Sequence, residues 1–215
     1  MKPAAYLLLA VIPLISLVSF GAQAVSRQRA EPDPHAFDAG VKAYLAQKGH
    51  VCLAKRNWPI DVAPDEERMK QRDAVQMPVL KKLGLVSETR VVAHFDKGKN
   101  TGEVVVRRFS LTREGKKYLL SQNQAAPAVG GRKADFCVAT VALDKVTGWS
   151  APSQGPRPET TVRYTYRVKA APWLKDKDAQ RVFPMVARLL AGERSFELQE
   201  RFVRTDKGWR AVDLM

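Results

Sequence analysis

The segment that most constrains this 215-residue chain is its first two dozen residues. Lys2 is followed by an apolar run from Tyr6 to about Phe20, then by Gly21, Ala22, Gln23 and Ala24, a small-x-small ending of the kind a signal peptidase cleaves. Residues 1–24 therefore read as a secretory signal peptide, and the mature chain is expected to begin near Val25, periplasmic or secreted. The rival reading is an uncleaved anchor, because residues 4–24 carry no charge and about 20 apolar residues span a bilayer. Lys2 on one side and Arg27 and Arg29 on the other give no clear orientation signal. No cysteine lies near the cleavage site, so a lipid anchor is not supported. Contact with a membrane through this segment is expected only if it stays uncleaved.

Removal of the signal leaves 215 − 24 = 191 residues, enough for one large domain or two small ones. Two cysteines remain, Cys52 and Cys137. In an oxidising compartment such a pair most simply forms one disulfide, the alternative being two buried thiols. Each cysteine sits in a short apolar run, Val51 to Ala54 and Phe136 to Ala139, which as strands would lie side by side. The net charge of +14 falls to about +13 without Lys2, and it favours anionic partners. The basic residues are dispersed, with no run longer than the pairs Arg107-Arg108 and Lys116-Lys117.

Periodicity gives an α+β chain of two small subdomains, each a helix packed on antiparallel strands. Residues 25–35 form a polar tether, 36–120 the first subdomain, 121–134 a linker with Pro127, Gly130 and Gly131, and 135–215 the second subdomain. Phe37, Val41, Tyr44 and Leu45 lie at helical spacing, and Gly49 stops that helix. Pro64 opens another, with Asp65, Glu66 and Glu67 at its positive end and a stripe of Met69, Ala74, Met77, Leu80 and Leu83. Pro78 lies inside it, so the segment is kinked there or split. Strands follow at 90–95 and 102–111, then a short helix capped by Thr112 and running through Leu120. The second half offers strands at 136–146 and 160–169, a helix at 176–191 interrupted by Pro184, and closing strands at 195–204 and 209–214.

The run from Leu80 to Val86, followed by a strand pair ending Phe109-Ser110-Leu111-Thr112-Arg113-Glu114-Gly115, resembles the end of a winged-helix module over residues 64–120. The resemblance implies a DNA-reading helix before Gly84, a wing between the two strands and a closing helix from Thr112. Arg72, Lys81, Lys82, Lys97 and Lys99 would then be the phosphate contacts. An exported chain has no chromosome to read, so the resemblance bears on shape more than on function.

Catalytic patterns are absent. His35, His50 and His94 are isolated, no serine sits in a nucleophile elbow, and Gly130-Gly131 lacks the strand-to-helix context of a phosphate loop. No cofactor or metal site is expected. The second half carries aromatic residues among basic ones, and Trp149, Arg163, Tyr164, Arg167 and Trp173 are the candidate ligand surface, through stacking and cation-π contact. The functional expectation is a non-enzymatic periplasmic binding or assembly protein with a basic surface for an anionic envelope polymer, a lipid surface or an acidic protein. A small envelope enzyme without a recognisable motif and a winged-helix nucleic-acid binder are the alternatives.

Overall fold

A computed structural model describes residues 33–97, 100–121 and 134–215. The expected signal peptide and the greater part of the tether and of the linker lie outside the described residues. The fold is α+β, with helices packed on two antiparallel sheets, and residues Pro32–Met215 form one compact unit.

Helix α1 (Pro34–Lys48) starts where Asp33 accepts a 2.9 Å hydrogen bond from the Ala36 amide, with Pro34 in the first turn and Gly49 at the end. Its inward stripe is Phe37, Val41 and Leu45, the first two fully buried. Strand β1 (His50–Cys52) follows, and after the cis Trp58–Pro59 peptide comes β2 (Ile60–Val62). The stretch expected as one long helix is two, α2 (Pro64–Arg68) and α3 (Arg72–Lys82). The break falls at Lys70, whose φ of 50° no helix contains, and Pro78 is held inside α3. Met69, expected in the buried stripe, consequently sits 61% exposed at the break.

Strands β3 (Val86–Lys97) and β4 (Asn100–Leu111) pair along their whole length, and β2 joins the other edge of β4 to give the order β2-β4-β3. The expected helix through Leu120 is a single turn, α4 (Arg113–Lys116), capped by the Thr112 hydroxyl and followed by β5 (Leu119–Ser121). The second sheet is built around the sixteen-residue β6 (Ala134–Trp149), in the order β1-β6-β7-β8-β9, with β5 also paired to β6. Its other members are β7 (Glu159–Ala170), β8 (Glu197–Thr205) and β9 (Gly208–Ala211). Between β7 and β8 the expected helix is divided by Pro184 into α5 (Lys177–Val182) and α6 (Pro184–Ala191), because proline can open a helix but donates no bond within one.

Cys52 and Cys137 face each other across β1 and β6 and form the disulfide, closing 85 positions of chain. Two apolar clusters hold the unit together, and each draws on both halves of the sequence. In one, Val62, Met77, Leu80 and Phe109 meet Phe136, Leu174 and Phe183. In the other, α1 lies on β6 to β9 and buries Phe37, Val41 and Leu45 against Val162, Tyr164, Phe202 and Trp209. Covering a side chain such as Phe37 contributes roughly 2 to 3 kcal/mol. Gly40 makes this docking possible: a Cβ there would stand 2.4 Å from the Trp209 carbonyl oxygen.

Candidate functional site

Alternation along a strand assigns each side chain of the second sheet to one of two faces. Val162, Tyr164 and Tyr166 of β7 point into the core under α1, so Arg163, Arg167 and Lys169 point the other way and are exposed. Register extends the outer face across the sheet. Lys169 lies opposite Thr140, Arg167 opposite Ala142, and Thr165 opposite Lys145 on β6. On β8, Gln199 lies opposite Arg163, Arg201 opposite Thr161, and Val203 opposite both Glu159 and, on β9, Arg210. His50 of β1 joins at the end, opposite Thr140.

This face carries Lys145, Arg163, Arg167, Lys169, Arg201 and Arg210 against Asp144, Glu159 and Glu197, and all six cations are exposed. Each carboxylate stands beside one arginine. Asp144 receives Arg167 Nε at 2.7 Å, Glu197 lies 4.0 Å from Arg163, and Glu159 lies 3.8 Å from Arg201. Asp144 owes its place to a bulge in β6 between Leu143 and Lys145, which turns the extra residue toward β7. The bond from Arg167 and a further one from the Thr165 hydroxyl hold its carboxyl below the usual range. Gly148 leaves room for Arg163 to lie flat, since a Cβ there would meet Nη2 at 2.7 Å. Lys145, Lys169 and Arg210 have no carboxylate within 4.0 Å among the described residues, so three positive charges stand uncompensated on one side of the sheet.

Of the five residues expected to form a ligand surface, the structure brings two together there, Arg163 and Arg167. Tyr164 is on the reverse of the same strand, 2% exposed, and burial pushes its phenol up to about 12. Trp149 is also on the reverse, its ring 5.3 Å from that of Phe37. Trp173 belongs to the other cluster, about 6 Å from Tyr118 and Phe183. The aromatic side chains pack in the two clusters, and the face they were expected to share with arginine carries more basic than acidic side chains. Arg201 and Arg210 were not foreseen; strand alternation carries the signal for them, but only the register shows that they join Arg163.

The basic residues of the winged-helix resemblance are differently employed. Lys81 donates to Glu88 at 2.8 Å, and Lys82 donates to Asp178 at 2.7 Å, which ties α3 to α5. Arg107 grips Glu88 through two bonds of 2.9 and 3.0 Å and also donates to Glu67. With Arg107 and then Lys81 upon it, the Glu88 carboxyl falls to about 2. Arg72 is exposed, whereas the Lys97 side chain and Lys99 lie outside the described residues.

A cavity of about 360 Å³ opens between the loop after β1 and α3, lined by Lys55, Arg56, Asn57 and Asp73. The Lys55 side chain is fully enclosed and its ammonium donates to Asp73. Burial lowers its pKa despite that partner. Behind it, the buried Asp135 accepts from the Lys55 amide at 2.9 Å, the Phe136 amide at 2.7 Å and Arg56 Nε at 3.1 Å. The network is a strut between the disulfide loop and α3.

Among the described residues no three His, Cys, Asp or Glu side chains gather as a metal site, and no helix is long and apolar enough to cross a membrane. Comparison with family models, curated proteins and solved structures finds no match to the chain.

Proposed function

We propose that the protein is an exported, non-enzymatic binding or assembly protein of the cell envelope, and that the outer face of β6 to β9 docks on an anionic envelope component. The observation that carries this reading is the charge balance of that face: six exposed cations against three carboxylates, each carboxylate already beside an arginine. The disulfide is what an oxidising compartment favours, and the signal-like segment names the same address. The ion pairs of Lys81 and Lys82 weigh against nucleic-acid reading by α3, because the charges a phosphate would meet are taken.

The experiment is flotation of residues 25–215, which contain the whole compact unit, with vesicles of neutral or phosphatidylglycerol-rich lipid across a salt series. A cation near an anionic surface contributes about 1 kcal/mol. Replacing Lys145, Lys169 and Arg210 together by Gln is therefore expected to weaken binding by roughly 100-fold. Binding that ignores salt, or a triple variant that binds like the parent, would remove the electrostatic face from the argument.

A further inference from the structure

At one end of the basic face, where β6 leaves its pairing with β5 and enters its pairing with β7, a groove of about 390 Å³ crosses the sheet. Its lining includes the buried apolar residues Val138, Ala139 and Ala171, together with Cys137 and Thr140. Leu119, Leu120 and Pro172 form the walls. Lys169 and His50 line the groove from the outer face, and Lys117, which pairs with Glu114, lines it as well. No Asp or Glu side chain lines it. Lys117 is 63% exposed, with Glu114 beside it outside the lining.

Two backbone amides of the lining are engaged within the fold. The Cys137 amide donates to the Tyr118 carbonyl at 2.8 Å, and the Ala171 amide donates to the Val138 carbonyl at 2.8 Å. What remains is hydrocarbon contact below and positive charge above, in a volume within the range of about 300 to 1,000 Å³ that small-molecule sites occupy.

We infer that this groove takes one acyl chain of an anionic membrane phospholipid, with its phosphate at Lys169, whose charge has no carboxylate partner among the described residues. The inference rests on the reading of the basic face as the docking surface, since His50, Thr140 and Lys169 belong to both. A chain lifted from the leaflet would enter the groove while the face lies against the headgroups. Charge complementarity selects an anionic head, and the apolar part of the lining selects a tail; a polymer without hydrocarbon would use the face and leave the groove empty.

Monomeric lipid separates the two. Dihexanoyl-phosphatidylglycerol, kept below its micelle concentration, presents one head and short tails but no surface. Titrated into residues 25–215 and followed by amide NMR, it is expected to shift Leu120, Ala139 and Ala170, while dihexanoyl-phosphatidylcholine binds several-fold more weakly and glycerol phosphate leaves them unmoved. Lys117→Glu is expected to weaken the monomeric lipid about tenfold yet keep vesicle binding within a factor of three, because Lys117 is not on the face. Ala170→Trp, which fills the groove, is expected to abolish the shifts, and the exposed Lys117 variant keeps the test decisive should that protein not fold. Vesicle binding without groove shifts, or equal binding to Lys117→Glu, overturns the groove and leaves the face standing. Groove shifts without vesicle binding overturn the face. Tighter binding of laurate than of the phospholipid overturns the assignment to a membrane lipid in favour of a free fatty acid.

Discussion

Loss of the Cys52–Cys137 bond is expected to cost more than any single side chain in the molecule. The bond closes 85 positions, and the chain-entropy relation for a loop of that length gives about 4 to 5 kcal/mol at room temperature. Inside the loop lie β2, α2, α3, β3, β4 and α4, which reach the second sheet through the mixed apolar cluster and the Lys55 strut, and β5, which pairs with β6 directly. The native strand β1 is only three residues long, so little pairing outside the bond restrains it. The test compares oxidised protein with the Cys52→Ala, Cys137→Ala double variant by urea unfolding, after mass analysis of unreduced, alkylated protein has confirmed the bond. For a urea slope of about 2 kcal/mol per molar, the midpoint is expected to fall by roughly 2 M. Midpoints within about 0.5 M of each other would refute the loop-entropy reasoning, and two alkylated thiols in the parent would refute the bond itself.

Three further outcomes follow from single sites. Asp73→Ala leaves the enclosed Lys55 without its partner and is expected to cost about 2 to 3 kcal/mol in urea unfolding, whereas Lys55→Met replaces the buried charge by hydrocarbon and costs under about 1 kcal/mol; the reverse order would contradict the strut. Glu88 titrates near 2 in the fold, so its contribution is fully present above its unfolded value of about 4.5 and is lost as pH falls toward 2. Stability followed across that window should drop by about 1 to 2 kcal/mol in the parent, solvent screening reducing the full effect of the shift, and less steeply in Glu88→Gln. Gly40→Ala drives a Cβ into the Trp209 carbonyl and should cost about 1 to 3 kcal/mol, read as a lower melting temperature; an unchanged melting temperature would show that α1 is free to shift.

What was legible in the sequence was local. The spacing of Phe37, Val41 and Leu45 states a helix whatever it packs on, and the alternation of Val162, Tyr164 and Tyr166 states a half-buried strand. The cysteine pairing also followed, because two apolar runs each containing a cysteine have few other ways to be used. Strands β2 and β5, three residues each, exist through their partners β4 and β6 and leave almost no periodic trace. The break at Lys70 escaped notice because a lysine in a left-handed conformation has no compositional mark. The aromatic surface failed for a related reason: a cluster of Trp and Tyr in sequence does not say which side of a sheet faces a helix, and α1, more than one hundred positions away, decides it by covering Tyr164. The basic face was half visible, since alternation placed Arg163 and Arg167 together but the register was needed to add Arg201 and Arg210.

Helix α1 has a consequence for when the protein can fold. Phe37 waits for Trp209, its ring neighbour at 5.1 Å, and 209 − 37 = 172 positions of chain must be made before that partner exists. During synthesis the helix has its amphipathic pattern but no complete surface to bury it on, and contacts this distant in sequence form slowly. The surface that buries α1 is complete only when nearly all of the chain has emerged. The contact that locks α1 in place is thus made with β9, the last strand of the described residues.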